Sequence, residues 1–288
     1  MHADELEIDT GLVRRLLDVQ FPEWEGLPLE ELPFGGTDNA IYRLGDRLSV
    51  KLPRRAGARA SFFAQEFEWL PRLAPQIPFA IPSPVVLGRP GEGYPHEWAV
   101  FDWIDGEDAA DTPLDRGRLA DDLADLIAAL WHIDPEGGPP GRDRGAPLGP
   151  RDEQTRKGIA ALAHEIDADA AVAVWEAALA APQWGHEPVW IHGDLDARNL
   201  LVRDGGLVGV LDWSILSVGD PACDVKVAWA VLDADTRPLF RARLGIDDAT
   251  WTRSRGWAIS QAVIAIPYYR DTYPGIVREA RRWLSEAI

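Results

Sequence analysis

Three oxygen-bearing side chains in one short segment carry the strongest chemical signal in the sequence. The stretch Trp190 to Trp213 reads WIHGDLDARNLLVRDGGLVGVLDW, two apolar runs separated by Asp204-Gly205-Gly206, which is the pattern of a β-hairpin. If Leu200 to Arg203 pairs with Leu207 to Leu211, Arg203 faces Leu207 and Asn199 faces Leu211. Asp212 then emerges beside Asn199, about 5 Å away across the ladder. An amide oxygen and a carboxylate meeting there suit a hard divalent cation that prefers oxygen, Mg²⁺ above all. Asp194, on the loop leading into the hairpin, can face the same space.

Lysine occurs only at Lys51, Lys157 and Lys226, so where it is kept is informative. Lys51 lies in an apolar strand, Leu48-Ser49-Val50-Lys51-Leu52, where an ammonium group is costly without a counter-ion. The following helix offers Glu66 and Glu68. Ahead of Lys51, Phe34-Gly35-Gly36-Thr37-Asp38-Asn39 lies between two strands. Glycines there allow backbone amides to approach phosphates, and Thr37 or Asn39 can add a hydrogen bond.

An H-x-D triplet, a following Asn and a further Asp after an apolar strand form the arrangement of protein-kinase catalytic and metal loops. In detail, His192-Gly193-Asp194-Leu195-Asp196-Ala197-Arg198-Asn199 and then Leu211-Asp212-Trp213 resemble the aminoglycoside phosphotransferase family of small-molecule kinases, whose brand is HGDxxxxN followed by I/L-D-F/W. The resemblance implies that Asp194 accepts a hydrogen bond from the substrate hydroxyl and takes its proton late. It implies that Asn199 and Asp212 hold Mg²⁺ bridging the phosphates of ATP, and that His192 orders the loop through its ring nitrogens. Asp196 departs from the pattern, standing where many members have histidine.

Downstream, Gly219-Asp220-Pro221-Ala222-Cys223-Asp224 resembles the family's G-D-P-x-x-D element. Asp220 and Pro221 read as a helix start, cap and first helical residue, and Asp224 as a support for the catalytic-loop amides. The family's Glu three residues before Trp-Leu-Pro selects Glu66 over Glu68 as the partner of Lys51, because Trp69-Leu70-Pro71 stands there. By the same resemblance Gly36, Thr37 and Asn39 belong to the phosphate-covering loop. The Asp102 carbonyl and Ile104 amide, in the crossing strand Glu97 to Ile104, read the base of ATP, with GTP as the alternative nucleotide.

The elements that must position these groups are visible in the hydrophobic period. An amphipathic start (Leu12, Val13, Leu16, Leu17) gives way to alternating strands around residues 41–44 and 48–52, then to a helix from Arg59 to Leu73 ended by Pro75 and Pro78. Strands are expected at 85–88 and 98–104, and a helical stripe of Leu119, Leu123, Leu126, Ile127 and Leu130 after Asp115. Gly137 to Pro150 reads as a surface loop, followed by helices at 153–166 and 169–181. Short strands return only at 189–191, 200–202 and 207–211. The expectation is an α+β, two-lobed protein-kinase-like fold, with a small β-rich lobe over 1–101, a hinge at 102–106 and a larger helical lobe over 107–288.

Composition narrows the partners. The 288 residues carry 47 Asp and Glu against 29 Lys and Arg, a net charge of −18, which argues against a chain that grips nucleic acid over a wide face. Such a charge would draw in a polycationic aminoglycoside as the small-molecule acceptor, yet ATP itself is anionic and charge alone does not name the acceptor. One cysteine, Cys223, excludes an internal disulfide and cysteine-pair zinc sites. The start MHADELEIDT lacks the basic and apolar regions of an export signal, and no stretch approaches the length of a membrane span, so a cytoplasmic protein without a membrane partner is expected. The C-terminal aromatics from Trp251 through Tyr268, Tyr269 and Tyr273 to Trp283 suit a carbohydrate or polycyclic ligand or a packed core, and core is the reading for most. A macrolide, sugar or choline-like alcohol would use the same machinery, and a silent nucleotide-binding module would keep it without turnover.

Overall fold

The computed structural model describes residues 6–32, 38–55 and 61–288, the side chains of 61 and 62 excepted. The chain divides into two compact units, one of Met1–Pro75 with Ala80–Asp105, the other of Gln76–Phe79 with Gly106–Ile288.

In the first unit, helix α1 (Thr10–Gln20) starts where the Asp9 carboxylate accepts the Leu12 amide at 2.7 Å, an N-cap that satisfies one orphan donor. Its buried face, Leu12, Val13, Leu16 and Leu17, packs on a five-stranded antiparallel sheet in the order β1-β2-β3-β5-β4. The strands are β1 (Leu29–Glu31), β2 (Asn39–Leu44), β3 (Leu48–Pro53), β4 (Pro84–Gly88) and β5 (Trp98–Asp102), with helix α2 (Ser61–Leu73) between β3 and β4. In β2 the alternation is strict, Ala40, Tyr42 and Leu44 being buried, and they meet Val50, Leu52, Trp98 and Val100 in the core. The crossing strand is shorter than its sequence suggests. It ends at Asp102 rather than Ile104, and the Trp103 amide turns to the Arg47 carbonyl.

The second unit holds β6 (Glu107–Asp108), α3 (Arg116–His132), α4 (Asp152–Ala161), α5 (Ala168–Ala180), β7 (Val189–Ile191), β8 (Leu200–Arg203), β9 (Gly206–Val210), β10 (Ser217–Gly219) and α6 (Ala222–Val225). It continues through α7 (Val227–Ala230), α8 (Arg237–Leu244), α9 (Asp248–Tyr269) and α10 (Pro274–Ala287). The expected stripe of α3 is buried. Asp122, off that stripe, accepts the Leu207 amide at 2.9 Å and ties α3 to the hairpin. The helix expected at 153–166 stops at Ala161, and turns follow. Helix α9 is buried around most of its circumference, as a central helix must be; α4, α5, α6 and α10 pack on it. Trp257 and Trp283 are core, as read from sequence. No described helix is long and apolar enough to cross a membrane.

Two small sheets frame the HGD segment. Strand β7 pairs antiparallel with β10, and β8 lies between β6 and β9. The β8–β9 register corrects the one inferred from sequence near the turn. Leu200 faces Val210 and Leu201 faces Gly209, but Val202 faces Leu207 and Arg203 faces Gly206, not Leu207. Asp204 (φ 51°) and Gly205 (φ 77°) alone make the turn, both left-handed as a type I′ connection requires. The residue thereby left over, Val208, is taken up as a bulge. At the open end the expected pairing survives, with the Leu211 amide donating to the Asn199 carbonyl at 2.8 Å.

Candidate active site

In the second unit, β7 delivers His192-Gly193-Asp194 into a loop held from below by Asp224. That carboxylate, fully buried, accepts the His192 amide at 2.7 Å and the Gly193 amide at 2.8 Å. Burial pushes its pKa upward, while the two amides it accepts pull the other way. Gly193 sits at φ 87°, and a Cβ there would lie 3.1 Å from the Ile215 carbonyl. The turn therefore needs glycine.

His192 is also fully buried, its ring 4.6 Å from that of Trp213. Nε2 lies 2.8 Å from the Leu211 carbonyl and Nδ1 3.1 Å from the Asp194 amide. A carbonyl only accepts and an amide only donates, so the ring is neutral with its proton on Nε2. It links the loop before Asp194 to the strand end before Asp212.

The hairpin mouth brings the other two predicted residues to this loop. The Asn199 side-chain amide donates to the Asp194 carbonyl at 2.9 Å, which commits Nδ2 and leaves Oδ1 as the free acceptor. Asp212 takes φ 55°, a left-handed conformation uncommon outside glycine and often held in place at functional sites.

In the first unit, Lys51 faces Ile41 on one side and Ala99 on the other. Its Nζ lies 3.3 Å from Glu66 Oε1 with both side chains nearly closed to solvent, and 6.0 Å from the Phe63 ring centroid. Glu68 faces outward and meets Arg72 at 3.6 Å. Asn39 begins β2 opposite Pro53, and its carbonyl accepts from Arg54. Asp102 pairs with Leu48 at the end of β5, and the Ile104 amide has no hydrogen-bond partner among the described residues. Gly36 and Thr37 lie outside the described residues.

A model of the phosphotransferase enzyme family matches residues 29–257, most of the chain and every site residue named above. The chain belongs to that family. A search of the curated proteins returned no match. Among solved structures this phosphotransferase is similar to the GDP complex of an aminoglycoside 2′-phosphotransferase-IIIa, with 18% identity and a TM-score of 0.73 over 97% of this chain and 99% of that one. It is similar to the GDP and kanamycin complex of APH(2″)-IIIa, at 19% identity and a TM-score of 0.71 over 96% and 97%. Macrolide 2′-phosphotransferase MphH from Brachybacterium faecium gives 22% and 0.64 over 93% and 97%. These likenesses are of fold: α+β, a small antiparallel sheet unit and a helical unit.

The phosphotransferase also places residues at Asp194 that the sequence did not single out for this loop. Lys226 Nζ and Arg144 Nη2 each lie 3.8 Å from Asp194 Oδ1. Arg144 arrives on the loop read as mere surface, which is built onto β10. Val218 donates to the Pro139 carbonyl and Gly141 to the Val218 carbonyl, while Asp220 donates to the Gly145 carbonyl. A Cβ on Gly219 would lie 2.5 Å from that Gly145 oxygen, so glycine admits the close approach. Asp196 caps the turn at Ala197–Asn199 through the Arg198 amide. Burial and then the charge of Asp194 push its carboxyl up to about 7, against the opposing pull of Lys226.

The downstream element differs from its sequence reading. Helix α6 begins at Ala222, so Pro221 is its cap position and not its first turn. Asp220 does accept the Ala222 amide at 3.0 Å, but its carboxylate is mainly a buried fork partner of Arg253, at 2.7 and 3.0 Å.

Proposed function

We propose that this phosphotransferase moves the γ-phosphoryl group of ATP, or of GTP, to a hydroxyl of a small molecule, with an aminoglycoside-like antibiotic as the acceptor. The observation that carries the reading is the hydrogen bond from the Asn199 side chain to the Asp194 backbone, which fixes a proton acceptor and an oxygen donor on one loop. The structures it resembles include GDP and ADP complexes of aminoglycoside phosphotransferases and complexes with kanamycin, streptomycin and gentamicin, and a net charge of −18 favours a polycationic acceptor. A macrolide acceptor is the second reading, supported by the likeness to MphH. A cytoplasmic setting, where nucleoside triphosphates are held, accompanies either.

In this mechanism the Asp194 carboxylate accepts a hydrogen bond from the acceptor hydroxyl. The hydroxyl oxygen bonds to Pγ as the bond from Pγ to the β–γ bridging oxygen breaks. The electron pair leaves with the nucleoside diphosphate, and the hydroxyl proton passes to Asp194. A loose transition state asks for placement more than for base strength, which is the task of Asp224 and His192 beneath the loop. Lys51, oriented by Glu66, pairs with nucleotide phosphates under the loop of Gly36, Thr37 and Asn39. The Asp102 carbonyl and the Ile104 amide read the base edge.

The donor set at the hairpin mouth fits Mg²⁺: Asn199 Oδ1 and the Asp212 carboxylate are hard oxygen ligands. Among the described residues no group of three or more His, Cys, Asp or Glu could hold a metal. Asn199 and Asp212 would hold the ion, two protein oxygens being enough for a cation that dehydrates reluctantly. When bound, the ion supplies neutralisation of charge on the transferring phosphates.

The test is mass spectrometry of aminoglycosides, macrolides, sugars and choline incubated with the protein, Mg²⁺ and ATP or GTP. One added phosphoryl group on an aminoglycoside supports the first reading. Addition only to macrolides moves the acceptor to the second, and nucleotide binding without any product overturns the transfer reading.

A further inference from the structure

One carboxylate oxygen, Asp194 Oδ1, has two cations at 3.8 Å, Lys226 Nζ and Arg144 Nη2. Their surroundings differ. The Lys226 side chain is closed to solvent, its Nζ has no hydrogen-bond partner among the described residues, and it lies 4.7 Å from the Trp283 ring centroid. The Arg144 side chain is 22% exposed, its Nε is buried without a hydrogen-bond partner among the described residues, and Nη1 reaches Asp143 only at 4.0 Å. Asp143 in turn is hydrogen-bonded by Arg151. At 3.8 and 4.0 Å neither contact of Arg144 is a hydrogen bond, so a half-closed guanidinium beside the proposed proton acceptor has donors left unmet. Buried donors in that state are costly. The planar fork that arginine presents is matched by the oxygens of a phosphate.

We propose that Arg144 binds the phosphoryl group at Asp194, and that Lys226 is the positioning counter-ion that keeps Asp194 neutralised while Arg144 does so. The inference rests on the role of Asp194 proposed above. Arg144 donates hydrogen bonds to the non-bridging phosphoryl oxygens and exchanges no proton. Lys226, sealed beneath the loop, touches neither donor nor acceptor and acts on the phosphoryl group through Asp194, while it also opposes the upward shift of Asp196. The pinning of residues 139–145 to β10 and Asp220 fixes the backbone that carries Arg144 before any ligand arrives, so little backbone ordering remains to be done on binding.

The probe is inorganic phosphate, titrated into the full chain by calorimetry in a Lys51→Met background that removes the other phosphate-binding cation. Arg144→Gln is expected to weaken phosphate binding by about tenfold or more, and Asp194→Asn to strengthen it by removing the competing carboxylate. Lys226→Met is expected to weaken it too, because Arg144 then becomes the only counter-ion of Asp194 among the described residues. Adding Asp194→Asn to Lys226→Met should restore affinity, an outcome that simple loss of packing around residue 226 would not give. Unchanged phosphate affinity in a folded Arg144→Gln protein, or a Lys226→Met loss that Asp194→Asn does not restore, overturns the proposal. Phosphate bound through Arg144 by a protein that phosphorylates no acceptor removes the transfer reading and leaves this site standing. Full kcat and phosphate affinity in Arg144→Gln do the reverse.

Discussion

The side-chain amide of Asn199 donates to the backbone carbonyl of Asp194 at 2.9 Å, so the residue proposed to hold a metal also sets the backbone that carries the proposed proton acceptor. Asn199→Ala is expected to raise the Mg²⁺ concentration for half-maximal transfer by about tenfold or more. Asn199→Asp should not rescue it, since a carboxylate oxygen would then oppose the Asp194 carbonyl. Mg²⁺ titrations of initial rate distinguish these outcomes, and wild-type Mg²⁺ dependence in Asn199→Ala contradicts the assignment.

Glu66 and Glu68 lie two residues apart and should behave oppositely. Glu66 pairs with the buried Lys51, whereas Glu68 meets Arg72 at the surface. Glu66→Ala leaves a buried ammonium without that partner and is expected to cost about 3–5 kcal/mol, with a nucleotide KM raised about tenfold. Glu68→Ala should stay within about 0.5 kcal/mol of the parent, with nucleotide use unchanged. Denaturant melts and nucleotide kinetics on the two variants check this.

Asp224 anchors the loop of His192 to Asp194, proposed as catalytic, by accepting two buried amides. Asp224→Ala strands both, an expected loss of about 2–4 kcal/mol, and the displaced loop should lower kcat by about a hundredfold. Asp224→Asn retains one acceptor oxygen and should fall between. A kcat unchanged in Asp224→Ala at a temperature where the protein remains folded would show that the loop does not depend on this anchor.

Glu165 offers a test in pH. It is hydrogen-bonded by Arg270 at 2.8 Å and by Arg281, and these guanidinium groups hold its carboxyl below the usual carboxylate range. A depressed carboxyl contributes stability above its unfolded pKa of about 4.3, and that contribution is lost as pH falls through the folded value. Glu165→Gln should therefore lower the melting temperature at about pH 7 and converge with the parent at about pH 2–3. An equal difference at both pH values would show that the ion pairs are not the cause.

The parts legible in the sequence were those with a period or a brand. The alternation of Leu48-Ser49-Val50-Lys51-Leu52 and the stripe of α3 follow from side-chain geometry alone, and the hairpin follows from its turn residues. Strands of two or three residues, such as β6 and β10, are too short to show a period, and they exist because neighbouring chain pairs with them. The register near Arg203 was misread because Gly206 was counted in the turn, although two left-handed residues suffice. Arg144 was hidden in a Gly- and Pro-rich loop whose place depends on bonds to Val218 and Asp220, far along the chain. Lys226 did leave a trace, the scarcity of lysine, but only the fold shows that it lies beneath Asp194.

The measurement that bears most directly on phosphoryl transfer at this loop is a comparison of Asp194→Asn with the parent in two assays, nucleotide binding at equilibrium and single-turnover transfer to the acceptor found by mass spectrometry. The expected result is nucleotide affinity that is retained or strengthened, with a transfer rate lowered by about a thousandfold. Transfer at the parental rate, or affinity and rate falling by the same factor, would contradict a proton-accepting role for Asp194.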